Sequence, residues 1–223
     1  DRIEYCTRMR LAARKHRISL LDFCVTCNHV HMIAMCECLL DLSRFMQQLE
    51  GEFADYYNRR KNRSGAFWGE RFHCTMIDGG DHLWNCLRYI DLNMVRAGIV
   101  CHPSEWPWCG YHELVGNRQR YRLLDMNRLI EVLNLADRAS LIAIHQQRIL
   151  EYIQENRLIR EEIWTESIAV GSKDFLKEVV SKIAKKRKRL HISATKDGDW
   201  FVKEDQTIYG TGLHVRKDLE KCT

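Results

Sequence analysis

Several classes of protein are excluded by what this chain of 223 residues lacks. It has no run of about 18 apolar residues, so we predict no membrane-spanning helix. The first five residues include several charges and do not begin a signal-peptide pattern. An initiator methionine is also absent, and we therefore expect the natural start to lie upstream of Asp1. There is no internal repeat, and no low-complexity tract beyond one basic run, residues 185–189.

Ten cysteines occur without a secretory signal, a combination that favours free thiols in a reducing compartment. Cys24 and Cys27 precede His29 and His31, which leaves a structural zinc site as a minor alternative. Strand parity weakens this alternative, because Cys24 would face away from Cys27. No second cysteine pair follows at the spacing of a zinc finger.

The net charge is +5, and the basic residues occur in clusters. The clusters lie at residues 2–17, residues 59–63 and residues 185–189. Clusters of this kind suit a polyanionic partner such as nucleic acid. The alternative is that they are solvated helix faces.

The hydrophobic pattern predicts an α+β fold for the first half of the chain, with an antiparallel sheet. The predicted order is a helix over residues 1–16, two strands ending near residue 38, a helix over 43–58, a strand reaching residue 77 and a helix over 81–95. The second half predicts helices over 123–135, 138–156 and 173–184. We therefore divide the chain into an α+β domain (1–115), a helical region with a basic end (116–190) and a polar tail (191–223).

Two histidines separated by one valine stand out in the second predicted strand. Alternate side chains of a strand share a face, so His29 and His31 project from the same surface with Val30 opposite. Two imidazoles at this spacing can bind one metal ion. Taken alone, such a pair is more often a polar part of a sheet surface than a metal site.

The helix predicted over residues 81–95 carries two candidate partners. Tyr89 and Asn93 are four residues apart and therefore project from one face. The amide oxygen of Asn93 is a natural third ligand for Mg²⁺ or Mn²⁺, and a tyrosine can form a covalent ester with a substrate. The alternatives are a core-edge aromatic for Tyr89 and a helix cap for Asn93.

Three sequence segments taken together are a more specific signal than the histidine pair or the Tyr89 and Asn93 pair alone. They are Asn-His-Val-His at residues 28–31, Gly-Ala-Phe-Trp-Gly-Glu-Arg-Phe at 65–72, and Arg-Tyr-Ile-Asp-Leu-Asn-Met-Val-Arg-Ala-Gly at 88–98. This series resembles the REP-associated tyrosine transposases of the single-tyrosine HUH superfamily, which are IS200-like. The resemblance covers about residues 1–115 and continues more weakly to Gly171, Ser172 and Phe175.

The resemblance implies a ferredoxin-like fold with the histidine pair on a central strand. It implies that His29, His31 and Asn93 bind Mg²⁺ or Mn²⁺, and that Tyr89 attacks a phosphodiester to form a 5′-phosphotyrosine. The substrate would be single-stranded DNA beside a hairpin, in the bacterial cytoplasm or nucleoid; both a monomer and a homodimer stay open. The basic and aromatic residues predicted to bind DNA are Arg59, Arg60, Lys61, Arg63, Trp68, Arg71 and Arg96.

Three departures from the family pattern are visible. Cys27 and Met94 stand where prolines are usual, and the usual first strand is missing before Asp1. A central strand edge without that partner would invite mispairing. The alternative function is a catalytically inactive or domesticated protein that binds DNA hairpins without cutting them.

Overall fold

The structure is a computed structural model, and it describes residues 1–118, 120–184, 189–195 and 198–204. The first half of the chain supplies most elements of a large core. These elements are α1 (Arg2–Lys15), β1 (Ser19–Val25), β2 (Val30–Met35), α2 (Leu39–Lys61), β3 (Met76–Ile77), α3 (Asp81–Asp91) and α4 (Asn93–Arg96).

Strands β1 and β2 form an antiparallel hairpin, and among the described residues β2 pairs with β1 alone. The register runs from Ser19 opposite Met35 to Val25 opposite Val30, with an irregularity between Leu20 and Asp22. The other edge of β1 is hydrogen-bonded by later segments. Their backbone hydrogen bonds are Val25 N to Trp108 O (2.9 Å), Gly110 N to Phe23 O (2.8 Å) and Asp125 N to Leu20 O (2.8 Å). This cover explains why β1 is buried along almost its whole length.

Helices α1 and α2 pack together because each has an apolar stripe at helical spacing. The stripe of α2 is Phe45, Met46, Leu49 and Phe53, all of them buried. The Tyr5 ring of α1 meets the Phe53 ring edge-on, with 5.0 Å between centroids.

The second half of the chain is mainly helical and ends in strands. Its elements are a 3₁₀ turn (Pro103–Glu105), α5 (Tyr111–Leu114), α6 (Met126–Val132), α7 (Arg138–Gln154), α8 (Ile163–Glu166), β4 (Ala169–Gly171), α9 (Lys173–Ile183), β5 (Leu190–Ala194) and β6 (Trp200–Glu204). Leu129, Leu141 and Ile149 are fully buried and join the large core. The helical region therefore packs against the N-terminal elements.

A second sheet has the strand order β3-β4-β6-β5 among the described residues. Strand β3 runs parallel to β4, and the other neighbours are antiparallel. With α9 this sheet encloses a small separate core of Ile168, Ala169, Leu176, Val179 and Val202.

The predicted α+β class is confirmed, with an antiparallel sheet and a helical C-terminal region. The predicted strand leading to Ile77 is reduced to two residues and pairs with β4, which lies far along the chain. The segment interpreted as a polar tail begins as a strand: Val202 is fully buried, because its partners come from residues 168–179. Residues 185–188 of the basic run and residues 205–223 of the tail lie outside the described residues, and the boundaries at 115 and 190 stay predictions.

In the described part of the chain, no helix combines the length and the apolar character needed to cross a bilayer.

Candidate active site

A tight turn before β2 fixes the position of the two histidines. The Thr26 hydroxyl donates to His29 O (2.7 Å) and accepts from His29 N (3.1 Å), while Thr26 N donates to the same carbonyl (3.0 Å). His31 lies two residues further on, inside β2. The two imidazole rings lie side by side, with centroids 4.7 Å apart and planes at 85°. The predicted shared face is therefore present in the structure.

The second nitrogen of His29 is free to bind a ligand. His29 Nδ1 lies 2.7 Å from Asn28 Oδ1. Because an amide oxygen only accepts hydrogen bonds, Nδ1 carries the proton and Nε2 keeps its lone pair. Metal-binding histidines are commonly oriented in this way, with one ring nitrogen donating to a nearby oxygen.

Helix α3 brings Tyr89 to the histidines. The Tyr89 ring lies 5.9 Å from the His31 ring, centroid to centroid. Arg96 also contacts this tyrosine: its guanidinium carbon is 4.0 Å from the Tyr89 ring centroid, and Nη1 donates to Tyr89 O (2.8 Å). Trp164 packs on the same tyrosine, with ring centroids 6.2 Å apart. Tyr89 is consequently only 3% exposed.

Asn93 follows Tyr89 by one helical turn, at the first residue of α4. Leu92 separates the two helices, and the backbone bond from Ala97 N to Asn93 O (3.1 Å) continues the helical course. The side chain of Asn93 is half-buried. Its role as a third metal ligand stays a prediction.

The electrostatic environment keeps the histidines neutral and the tyrosine protonated. Burial, followed by the charges of His29 and Arg96, lowers the pKa of His31 to about 3. Burial, followed by the charge of Arg160, lowers the pKa of His29. Burial raises the pKa of Tyr89, against the opposite effect of Arg96 and Arg160. Neutral imidazole is the form that binds metal ions.

A divalent cation would find nitrogen and amide donors here. The described residues contain no group of three or more His, Cys, Asp or Glu side chains that could hold a metal. A metal at this site would therefore be bound by His29, His31 and an oxygen such as that of Asn93, which fits Mg²⁺ or Mn²⁺ with water in the remaining positions. The zinc alternative gains no support, because Cys24 is fully buried and burial raises the pKa of its thiol.

The residues predicted to bind DNA fall into three places. Only Arg96 contacts the candidate active site. Trp68 packs into an aromatic cluster instead of standing free, with its ring 4.8 Å from that of Phe67 and Nε1 donating to Glu50 O (2.9 Å). The others are exposed at or after the end of α2: Arg59, Arg60, Lys61, Arg63 and Arg71. Within that group, Arg59 pairs with Asp55 and Arg60 with Asp1.

Sequence reasoning missed the contribution of the C-terminal region to this site. Trp164 and Arg160 come from the segment between α7 and β4, roughly 70 residues after Tyr89, a separation at which local hydrophobic periodicity gives no information about contacts. No motif in residues 155–168 marks them as site residues.

Comparisons with known proteins match the N-terminal part of the chain. Residues 1–93 match the sequence model of a family described as "Transposase IS200 like". A curated protein from Haemophilus influenzae, named "Putative REP-associated tyrosine transposase", is 34% identical over 71 residues, which are 31% of this chain and 40% of that protein. No solved structure gives a significant match. His29, His31, Tyr89 and Asn93 all fall within the family match, so over residues 1–93 this chain is similar to the IS200-like transposases, as the resemblance predicted.

Proposed function

We propose that this protein is a transposase that cleaves and rejoins single-stranded DNA beside hairpins, with Tyr89 as the nucleophile. The observation that carries the proposal is the contact between Tyr89 and the histidine pair, with 5.9 Å between the His31 and Tyr89 ring centroids. A covalent nucleophile next to two neutral imidazoles suits phosphoryl transfer. The protein would act in the cytoplasm or nucleoid, where DNA is present.

The reaction needs one bond to form and one to break. The Tyr89 oxygen attacks the phosphorus and loses its proton, and the bond from phosphorus to the 3′ oxygen breaks. The 3′ oxygen takes up a proton, which leaves a free 3′-hydroxyl and a 5′-phosphotyrosine. Rejoining is the same exchange in reverse, with another 3′-hydroxyl as the attacking group.

Four side chains would prepare this exchange. Arg96 holds the Tyr89 ring from one side and donates to its backbone carbonyl, so the phenol has a fixed position. The same guanidinium favours the ionised phenolate over the neutral phenol. His29, His31 and Asn93 would hold Mg²⁺ or Mn²⁺, which supplies Lewis-acid polarisation of the phosphate when bound.

One observation favours a second candidate, a hairpin-binding protein that does not cut. Tyr89 is 3% exposed as a whole residue, because His31, Arg96 and Trp164 pack around its ring, so most of the side chain is enclosed in this conformation. A binding protein would keep the basic surface and have no need of access to the phenol.

A covalent-adduct assay separates the two functions. A hairpin oligonucleotide with a single-stranded flank is incubated with the protein and Mg²⁺ or Mn²⁺, then resolved under denaturing conditions. We expect a label at the 3′ end of the DNA to migrate with the protein and a label at the 5′ end to appear in a shorter free strand. Tyr89→Phe should abolish the adduct, while Tyr57→Phe, which alters a half-buried tyrosine of α2, should leave it unchanged.

Substitution of each histidine tests whether adduct formation needs the metal. His29→Ala and His31→Ala should each lose the adduct while hairpin binding, measured by fluorescence anisotropy, persists. An adduct that survives in Tyr89→Phe would disprove the assignment of the nucleophile. Salt-sensitive hairpin binding without an adduct at any Mg²⁺ or Mn²⁺ concentration would establish the binding protein instead.

A further inference from the structure

The segment between α7 and β4 forms one side of the candidate active site, although it lies beyond the residues that match the transposase family. Trp164 packs on Tyr89, with 6.2 Å between ring centroids. The carbonyls of Trp164 and Ser167 accept from the Thr75 hydroxyl (3.4 and 2.6 Å). These contacts hold the segment against the N-terminal half of the chain.

Glu161 fixes the segment to the helix that carries the nucleophile. Its Oε1 lies 3.1 Å from Nη2 of Arg88, the residue before Tyr89, and its Oε2 accepts from Trp164 Nε1 (2.8 Å). Arg88 is nearly buried, and its guanidinium also lies 3.5 Å from the Tyr152 ring centroid. A buried charge-assisted hydrogen bond of this kind holds a backbone position well. The residue next to Glu161 therefore has a defined place beside the site.

That neighbour is Arg160, whose side chain is 70% exposed. It directly precedes Glu161, which is bonded to Arg88, and it lies four residues before Trp164, which packs on Tyr89. Its acidic neighbour is Glu166, at a loose 3.7 Å from Nη2 to Oε1. Glu166 is also paired with Lys203, at 3.2 Å. Pairing with Glu166 alone does not explain an arginine at this position, since an exposed pair of this length contributes little stability.

We propose that Arg160 binds a DNA backbone phosphate at the active site, so that the C-terminal region completes the substrate site of the N-terminal domain. This inference rests on the proposed DNA function. A guanidinium presents two parallel N–H groups that match two phosphate oxygens, and its charge is kept at every accessible pH. Arg96 is engaged with the ring and the carbonyl of Tyr89, whereas the exposed Arg160 can reach a ligand from solvent.

The alternative is a solvated surface arginine with no ligand, and matched variants distinguish the two. Arg160→Ala removes the proposed phosphate contact, and Arg160→Lys restores the charge without the paired geometry. Lys203→Ala is the control, because it removes a cation that pairs with the same Glu166 but has no contact with the site residues.

Two measurements are made on each variant of the full chain. The first is the rate of adduct formation against the concentration of a hairpin oligonucleotide with a single-stranded flank. A lost charge-assisted hydrogen bond predicts a fall of about 10- to 100-fold in kcat/KM for Arg160→Ala, with partial recovery in Arg160→Lys. Lys203→Ala should match the wild type.

The second measurement is the salt dependence of binding to the same oligonucleotide, which needs no cleavage. Loss of one phosphate contact should lower the slope of log K against log[salt] by about 0.7 for single-stranded DNA. A change in Arg160→Ala no larger than that in Lys203→Ala would overturn the proposal. If the wild type forms no adduct, the cleavage function fails, and the salt slope alone still decides whether Arg160 contacts phosphate.

Discussion

The two sheets of this protein are built in opposite ways. The β1–β2 hairpin comes from one short stretch of chain, residues 19–35, with His29 in its turn and His31 in its second strand. The second sheet joins β3 at Met76 to β4 at Ala169 and then adds β6 and β5. The hairpin supplies the face that carries the histidine pair, whereas the second sheet brings distant parts of the chain together, and Trp164 lies beside Tyr89.

The two sides of the candidate site therefore arise differently, one from local chain geometry and the other from long-range packing. The histidine pair depends on local geometry, since Thr26 and His29 are hydrogen-bonded across a four-residue turn. The contact of Trp164 with Tyr89 depends on packing between distant halves of the chain. Substitutions that weaken the distant contacts should therefore alter the C-terminal side of the site and leave the hairpin intact.

The largest effect is expected where the two halves of the chain share a buried polar pair. His145 of α7 lies 2.7 Å from Asp91 of α3 (Nε2 to Oδ2), and both are almost fully buried. Burial raises the pKa of Asp91, against the opposing effect of His145. His145→Ala should lower the free energy of unfolding by about 3 to 5 kcal/mol, because it leaves the carboxyl group buried without that partner.

Urea unfolding at pH 7 measures this loss. Arg148→Ala on the same helix is the control, since its pair with Asp81 is largely exposed on the aspartate side and should contribute at most about 1 kcal/mol. Equal losses in the two variants would contradict the importance given to the buried pair.

Substitutions at Gly171 and Gly110 test whether each sheet can be destabilised without the other. A methyl group at Gly171 would lie 2.6 Å from Phe175 Cδ1 and closer still to Asp78 Cβ, and a methyl group at Gly110 would collide with Asp22 Oδ1. Each substitution by alanine should therefore cost about 1 to 3 kcal/mol through overpacking. Hydrogen exchange should locate the damage of Gly171→Ala in β3, β4 and α9, and that of Gly110→Ala in β1.

The exposed Gly51 of α2 is the matched control for both glycines. It has no atom within 4 Å of a would-be methyl group, so Gly51→Ala should raise stability by about 0.5 to 1 kcal/mol through helix propensity. Faster hydrogen exchange spread evenly over both sheets in either alanine variant would show that the two sheets are not destabilised independently.

The smallest loss of stability is expected at the junction between β3 and α9. Asp78 Oδ2 accepts from both the backbone N–H (3.0 Å) and the hydroxyl (2.7 Å) of Ser172, which is the N-cap of α9. Burial raises the pKa of Asp78, but these hydrogen bonds outweigh it and lower the pKa below its ordinary value. The ionised form is therefore favoured by folding, and its contribution is present above about pH 4 and lost as the pH falls through the folded pKa.

Asp78→Asn should cost about 1 kcal/mol at pH 7, and the difference from the wild type should shrink as the pH falls below about 4. Thermal unfolding from pH 7 to pH 3 measures this trend. Asp55→Asn, which alters an exposed aspartate of α2 paired, among the described residues, only with the exposed Arg59, serves as the control and should change stability little at pH 7. A difference that grows toward low pH would contradict the assigned sign.

Much of the site could be predicted from the sequence, because it depends on short-range spacing. The alternation of His29 and His31 and the four-residue step from Tyr89 to Asn93 follow from strand and helix geometry. The contact between His31 and Tyr89 was predicted from the family resemblance and not from spacing alone. The metal and the DNA-binding roles stay predictions.

The rest depends on contacts between distant residues. The pattern around Trp200, Phe201 and Val202 is visible in the sequence, but nothing there indicates that Val202 packs against Ala169 and Leu176. For the same reason the sequence predicts a strand that reaches Ile77 but not its partner, and in the structure Ile77 lies opposite Val170. Burial on one face can be predicted from periodicity, whereas the partner that provides the burial cannot.

The parallel pairing of Met76 with Ala169 also has a consequence for the order of folding. Closing a loop of roughly 90 residues costs about 4 kcal/mol in chain entropy beyond a constant term, far more than closing the β1–β2 hairpin. The hairpin is therefore expected to form early, and the second sheet late. During synthesis, a nascent chain would present the histidine pair well before Arg160 and Trp164 leave the ribosome, so the candidate site should be complete only after residues 160–164 have emerged.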